Sequence, residues 1–264
     1  MSAINNLSRL PEAHELGTHL AFIFLNAAIS SEIVACIRIG HNRKNEYAKR
    51  YMILGIARRL RVIQQNYLAL YEVIENDRKE PLNNSEQINL DLHLNSLYLH
   101  IRGVLDNLAW ALEFEFVIYP LDLLQKTPQK IGLFNGGFIS RIGKRYVALS
   151  QVLKNYQQWH EGMKTIRDPA AHRIPNYVAP SVLTPEEVLL YRGLESKANT
   201  MFKNGDFDGA MKVHDEIDGL GKFEPLFIDE IGNTYPMQFQ IDGDIVNMIL
   251  LIRAVAEEFA NSEL

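Results

Sequence analysis

Residues 90–112 read LDLHLNSLYLHIRGVLDNLAWAL, and this stretch decides the fold class. Leucine or isoleucine recurs in it at steps of three and four residues, which is the spacing of one apolar stripe along an α-helix. The stripe consists of Leu90, Leu94, Leu97, Ile101, Leu105, Leu108 and Leu112. It predicts a helix from Ser85 to Tyr119 that ends at Pro120, because the residue before a proline is displaced from the helical conformation.

A second stripe with the same spacing precedes the first. It consists of Ile53, Ile56, Leu60, Ile63, Tyr67, Leu70 and Ile74, and it predicts a helix from Lys44 to about Asp77. A short polar turn joins the two helices, and Asn84, with Gln87 three residues later, is predicted to cap the second one. Two long helices joined by a short turn should lie antiparallel and bury their stripes against each other.

The rest of the chain predicts more helices and one small hairpin. Further helices are expected at Glu12 to Gly40, from near Lys144 to about Arg167, from Thr184 to about Asp218 with a break at residues 204–206, and from Gly243 to Phe259. Residues 226–240 predict two short strands around a Gly-Asn turn. The fold class is therefore mainly α: a bundle of long antiparallel helices with one small β-hairpin near the C-terminus. Residues 1–180 are expected to form the bundle and residues 181–264 an appended region, or the two form one continuous domain.

Composition narrows the class of protein but not its activity. The chain has 264 residues, of which 47% are hydrophobic and 22% charged, as in soluble globular proteins. Cys36 is the single cysteine, so no intramolecular disulfide can form. The apolar window from Leu20 to Ile39 is interrupted by polar residues, and no secretory signal is evident, so a cytoplasmic protein without a membrane partner is expected. The histidine spacings fit no metal site and there is no phosphate-binding loop, so neither metal nor cofactor is expected.

The formal net charge of −5 is unevenly distributed. Residues 38–61 contain eight lysines or arginines against Glu46, and residues 141–173 contain seven against two acidic residues. A basic helix of this kind can contact the RNA backbone, and Arg50, Arg58 and Arg61 are the residues predicted to do so. A basic helix that faces an acidic partner subunit has the same pattern, and this alternative stays open.

One short motif combines an arginine and a histidine. It reads Arg167-Asp168-Pro169-Ala170-Ala171-His172 and is followed by Arg173. The Asp168-Pro169 step is predicted to end one helix and to begin another, with Asp168 as the N-cap. Such a junction would direct the guanidinium of Arg167 and the imidazole of His172 toward one place. Arginine binds phosphate through paired hydrogen bonds, and histidine transfers protons near neutral pH.

This motif resembles that of the HEPN superfamily (higher eukaryotes and prokaryotes nucleotide-binding). Its members are bundles of long helices that share an arginine, a polar residue, three to five variable residues and a histidine. The segment Leu99 to Trp110, LHIRGVLDNLAW, is similar to the "LRsaLDhLAw" helix of bacterial proteins that also carry a later arginine-to-histidine motif. The resemblance covers roughly residues 12–175.

The resemblance implies a metal-independent endoribonuclease, in a toxin–antitoxin or defence system, with a composite site at a homodimer interface. His172 would then assist the attack of a ribose 2′-hydroxyl, and Arg167 would stabilise the charge on the phosphorane. Asp168 would have an orienting or a helix-capping role, and Arg173 would hold a flanking phosphate. Members silenced by nucleotide transfer from an antitoxin carry a tyrosine two residues after the histidine. Ile174 occupies that position here, so this form of regulation is not expected and the existence of an antitoxin partner stays open.

Two other interpretations remain. Many members of the superfamily are inactive modules that bind a nucleotide, RNA or a partner protein, and Arg167 and His172 would then be structural. Arg102 and Asp106 form an i, i+4 pair that either supports a site or organises the bundle. A half-repeat at residues 198–210 leaves a helical-repeat scaffold as a third interpretation, although only one copy is present.

Overall fold

The computed structural model describes residues 13–75, 78–120 and 128–261. The elements up to the polar turn are α1 (Ala13–His41), α2 (Glu46–Arg50), a π-helical segment (Tyr51–Ala57) and α3 (Arg58–Glu75). They are followed by α4 (Asn84–Phe116), a 3₁₀ turn (Pro128–Lys130), α5 (Gly136–Gly143), α6 (Val147–Asn155) and α7 (Gln157–His172). The remaining elements are β1 (Tyr177–Val178), α8 (Pro185–Lys203), α9 (Phe207–Asp218), β2 (Leu226–Ile228), β3 (Thr234–Pro236) and α10 (Met237–Asn261). The mainly-α class predicted from the sequence is confirmed.

The pair α3–α4 is the centre of the bundle, as the two stripes predict. Every residue of the α4 stripe is buried, and Leu60, Ile63 and Leu70 of the first stripe are buried as well. The helices are antiparallel, because Asn66 binds Ser96 at 2.9 Å whereas Arg59 lies against His100, further along α4. Burial of these two apolar faces drives the association of the helices.

The helix predicted from Lys44 to Asp77 contains a change of geometry that its stripe does not show. Between α2 and α3 the backbone hydrogen bonds are π-helical over Tyr51–Ala57. Met52 and Ile56 are fully buried there, whereas Ile53 is only half-buried. The predicted ends at Glu12 and Asp77 lie outside the described residues.

The ends of α4 differ from the prediction by a few residues. Asn83 rather than Asn84 is the N-cap, and its side chain accepts from the backbone N–H of Glu86 at 3.0 Å. The Glu86 carboxylate accepts in return from the Asn83 N–H and from Arg78, so Gln87 has no part in the cap. The helix ends at Phe116, before the predicted Tyr119, because Val117 adopts a left-handed conformation with φ of 48°.

The predicted helix near residues 144–167 is two helices, and its predicted end is wrong. A break at Tyr156 separates α6 from α7. The second helix then continues through Asp168 and Pro169 to His172, so Asp168 is not an N-cap and no junction follows Arg167. Pro169 lies in the last turn, where it lacks the N–H that would otherwise bond to the carbonyl of Thr165.

The C-terminal region contains the predicted helical hairpin and a larger sheet than expected. Helices α8 and α9 form the hairpin, and Thr184 caps α8 with Glu187 in a capping box. The sheet is antiparallel with the order β1-β2-β3, because the strand at residues 177–178 joins the predicted hairpin. Helix α10 begins at Met237, before the predicted Gly243, and packs on α1, α4 and α6. Strand pairing and α10 thus connect both sides of residue 180.

Within the described ranges, the segment His19–His41 of α1 is long and apolar enough to span a membrane, with a mean hydropathy of 2.0. Two of its polar residues bond to other helices of the bundle. Glu32 is buried and accepts from Arg253 of α10 at 2.7 Å, and the Asn26 side chain accepts from Gln64 of α3 at 2.7 Å. These bonds tie α1 to two other helices.

Candidate functional site

The arginine–histidine motif lies on the last two turns of α7. Arg167 is partly buried and pairs with its neighbour Asp168, Nη1 to Oδ1, at 3.0 Å. The Nε atom of Arg167 is buried and has no hydrogen-bond partner. His172 is the last residue of the helix and is exposed, and no group in the described part of the chain hydrogen-bonds to its imidazole.

The continuous helix sets the relative directions of these two side chains. Residues five positions apart on an α-helix point about 140° apart and are separated by about 7.5 Å along the axis. Arg167 and His172 therefore do not converge on one place, as the predicted junction would have allowed.

Arg173 is the first residue after α7 and is engaged elsewhere. Its Nη1 lies 2.6 Å from Oε1 of Glu230, just beyond β2. The guanidinium of Arg173 is more than half exposed, whereas the carboxylate of Glu230 is largely covered. A phosphate at this position would have to share Arg173 with Glu230.

Arg102 and Asp106 form the predicted pair, at 3.0 Å between Nη2 and Oδ1. Arg102 also reaches α7, where its Nη1 lies 2.6 Å from Nε2 of His160. His160 is buried and stacks on Phe134 with the ring centroids 4.2 Å apart. Burial, and then the nearby charge of Arg102, lower the pKa of His160 to about 4.

This cluster is distinct from the arginine–histidine motif. His160 precedes Arg167 by seven residues, which is roughly 10 Å along the helix axis. Arg102 therefore connects α4 to α7, with Asp106 paired to it on α4, and neither residue lies around His172. The sequence did not indicate His160, because a lone histidine seven residues before an arginine has no distinctive spacing.

The predicted RNA-binding residues divide between a groove and the surface beside it. A groove of about 550 Å³ runs along the α2–α3 segment and the adjoining face of α4. Its lining contains Arg50 and Arg58 but not Arg61, which is exposed on α3. The residues that line it are Tyr47, Arg50, Tyr51, Leu54, Gly55, Arg58, Arg59, Val62, His100 and Asn107.

The floor of the groove holds Arg59 in place. Its Nη1 lies 3.3 Å from Nδ1 of His100, and its guanidinium crosses Gly103, where a Cβ atom would collide with it. Burial, and then the charge of Arg59, lower the pKa of His100. The neutral imidazole can thus accept a hydrogen bond from the arginine.

Comparisons with known protein families, with curated proteins and with solved structures find no match for this chain. Among residues 13–75, 78–120 and 128–261, no group of three or more histidine, cysteine, aspartate or glutamate side chains could hold a metal ion. Two features therefore bear on function: the exposed His172, which follows Arg167 by five residues on α7, and the basic groove along α2–α4.

Proposed function

We propose that this protein is a HEPN-like, metal-independent endoribonuclease that acts as a homodimer. The observation that supports the proposal is the exposed imidazole of His172 at the end of α7, about 1.4 turns after Arg167, with no hydrogen-bond partner among the described residues. An imidazole in this setting can exchange protons with a substrate. A guanidinium on the same helix supplies a permanent positive charge.

The proposed reaction is an internal transesterification. The imidazole of His172 takes the proton of a ribose 2′-hydroxyl as its oxygen attacks the adjacent phosphorus. Arg167 stabilises the additional negative charge on the phosphorane oxygens. The bond to the 5′-oxygen of the next nucleotide breaks and that oxygen takes up a proton from water, which leaves a 2′,3′-cyclic phosphate and a free 5′-hydroxyl. The imidazolium of His172 then returns its proton to the solvent. Within this reaction Asp168 restrains Arg167 through their 3.0 Å pair.

A second copy of the chain completes the site in this proposal. Because Arg167 and His172 diverge on one helix, each phosphate is served by Arg167 of one protomer and His172 of its partner. Ile88, Leu92 and Leu99 form an exposed apolar strip on α4, and this strip adjoins the segment just after α7. A second copy seated there would cover the strip and bring two motifs close together.

Cleavage is tested with purified protein and RNA in the presence of EDTA. We expect fragments with 2′,3′-cyclic phosphate ends, and we expect His172→Ala to lower the cleavage rate to background. His41→Ala is the matched control, because His41 is also an exposed histidine at the last position of a helix. Equal cleavage by the His172→Ala variant and wild type would refute the role of His172.

The composite arrangement has its own test. Arg167→Ala and His172→Ala are each expected to be inactive, and an equimolar mixture is expected to recover part of the activity. In mixed dimers one of the two sites retains both native residues, which explains the recovery. Light scattering should show a dimer, and Leu92→Glu should convert it to monomers. Inactivity of the mixture, when subunits are shown to exchange, would exclude a site shared between protomers.

The second candidate function is an inactive HEPN-like module that binds RNA or a nucleotide. The basic groove favours it, since the groove exists independently of α7. RNA binding without cleavage by the wild-type protein would select this alternative. A role in a toxin–antitoxin or defence system is tested by expression in bacteria: growth arrest that requires His172 supports it, and the neighbouring genes then offer antitoxin candidates.

A further inference from the structure

The groove along α2–α4 concentrates positive charge without a compensating carboxylate. Arg50, Arg58 and Arg59 line it, and no aspartate or glutamate is part of its lining. Arg50 and Arg58 are exposed and have no ion-pair partner in the described part of the chain. Guanidinium groups around one concave surface repel one another, and a bound anion would relieve that repulsion. The charge pattern therefore indicates an anionic ligand.

Two aromatic side chains line the same groove. Tyr47 is 59% exposed, and Tyr51 lies one turn further along the helix. Phe114 stacks against both, with centroid distances of 5.0 Å and 5.7 Å, and Trp110 stacks on Tyr51 at 6.0 Å. These packed rings behind the tyrosines hold them in place. An exposed tyrosine ring beside arginines is a stacking surface for a nucleobase.

The π-helical segment arranges these side chains on one side of the helix. Two rows of residues, each spaced four apart, line the groove. The first row is Tyr47, Tyr51, Gly55 and Arg59, and the second is Arg50, Leu54, Arg58 and Val62. Residues four apart drift about 40° around a regular α-helix, so rows of this length would turn away from the groove. A π turn takes up additional residues and counteracts that drift.

Gly55 lies at the centre of this arrangement. A Cβ atom there would lie 2.7 Å from Nδ2 of Asn107, so only glycine allows the Asn107 amide to lie against the helix. Asn107 therefore adds hydrogen-bonding groups to the lining of the groove. The volume of about 550 Å³ is in the range of small-molecule sites.

We infer that this groove binds a nucleotide unit, with its phosphate on Arg50 and Arg58 and its base against Tyr47 and Tyr51. The unit is either a free nucleotide or one residue of single-stranded RNA. This inference deepens the proposed function by assigning the surface that holds RNA. It does not require cleavage, since the groove is built from α2–α4 whereas His172 lies on α7.

Binding is tested by fluorescence anisotropy on the His172→Ala variant, so that no RNA is cut. One arm uses a short labelled single-stranded RNA, and a second arm asks whether AMP or ATP displaces it or binds alone in calorimetry. Tyr47→Ala is expected to weaken binding roughly 5- to 150-fold, the range for loss of one base–aromatic stack. The double variant Arg50→Ala, Arg58→Ala should flatten the dependence of log K on log salt by about 0.7, since one neutralised phosphate on a single strand contributes about 0.7.

Arg61→Ala is the matched control, because Arg61 is an exposed arginine of α3 just outside the groove. We expect it to weaken binding less than Arg58→Ala, and thermal melting should show that all variants are folded. Equal losses from Arg58→Ala and Arg61→Ala would overturn the inference in favour of a diffuse basic surface. Absence of binding to RNA and to both nucleotides would overturn it outright.

The outcomes separate this inference from the proposed nuclease. RNA binding that depends on Tyr47 and Arg58, without cleavage by the wild type, supports the groove and refutes the nuclease. Cleavage by the wild type that is unaltered in KM by Tyr47→Ala and Arg58→Ala supports the nuclease and refutes the groove. Competition by AMP or ATP identifies a free nucleotide as the ligand, whereas binding of RNA alone identifies the strand.

Discussion

His160 should make the protein less stable in mild acid. Its pKa falls from an ordinary 6.5 to about 4, first because the imidazole is buried and then because Arg102 lies beside it. Between these two values the unfolded chain binds a proton that the folded chain does not, so the free energy of unfolding decreases as the pH falls. Each pKa unit corresponds to about 1.4 kcal/mol, which gives a loss of about 2 kcal/mol between roughly pH 7 and pH 5 from this residue.

The assay is urea denaturation of wild type and His160→Gln at both pH values. Glutamine can still accept a hydrogen bond from Arg102 but does not titrate, so the variant should lose about 2 kcal/mol less than wild type over the same interval. The carboxyl groups titrate in both proteins and cancel in this comparison. The variant will have a lower free energy of unfolding than wild type at neutral pH, because the stacking of His160 on Phe134 is lost. Equal pH dependence of the two proteins would refute the reasoning.

Further substitutions test the core, the cap of α4 and the groove. Leu94→Ala removes a fully buried side chain and should cost about 2–5 kcal/mol in denaturation, whereas Leu189→Ala, at an exposed position of α8, should change stability by no more than about 0.5 kcal/mol. Asn83→Ala deletes the capping side chain of α4 and should lower stability by about 1 kcal/mol, which a restoring Ser at that position would reverse. Gly103→Ala should weaken RNA binding, because its Cβ atom would displace the guanidinium of Arg59 from its place against His100. Unchanged binding would contradict the placement of Arg59.

The long helices could be predicted because the apolar residues that recur at helical spacing are the residues that the helices bury. Leu90, Leu94 and Leu97 recur at helical spacing and therefore lie on one side of α4. That side faces the core, so all three are buried. The N-cap of α4 is harder to predict, because Asn83 and Asn84 are adjacent and both fit the capping pattern. Each is followed three residues later by an acid or an amide. The structure selects Asn83, and Arg78 then binds the Glu86 of that cap.

The motif on α7 shows where local rules fail. A proline usually ends a helix one residue earlier, yet Pro169 is buried inside the last turn of α7. Its packing in the bundle outweighs the loss of one backbone hydrogen bond. The sequence therefore identified Arg167 and His172 as candidates but misjudged their relative directions, which depend on tertiary contacts.

The groove could be predicted only in part for a similar reason. Charge counting identified Arg50 and Arg58, and it also identified Arg61, which lies outside the lining. Tyr47 and His100 come from different helices, and their meeting depends on how α2 and α4 pack. No pattern in one linear stretch contains that information.

The π-helical segment has a consequence for comparing this chain with any relative. Within Tyr51–Ala57 the helix accommodates additional sequence without interrupting its axis. Deleting one residue there would let the segment close into an ordinary α-helix with little rotation of α2 relative to α3, because a π turn holds about one residue more than an α turn. Tyr47 and Arg50 would then stay on the side of the helix that faces the groove. A one-residue gap at this point in an alignment is therefore compatible with a protein that keeps both the bundle and the groove.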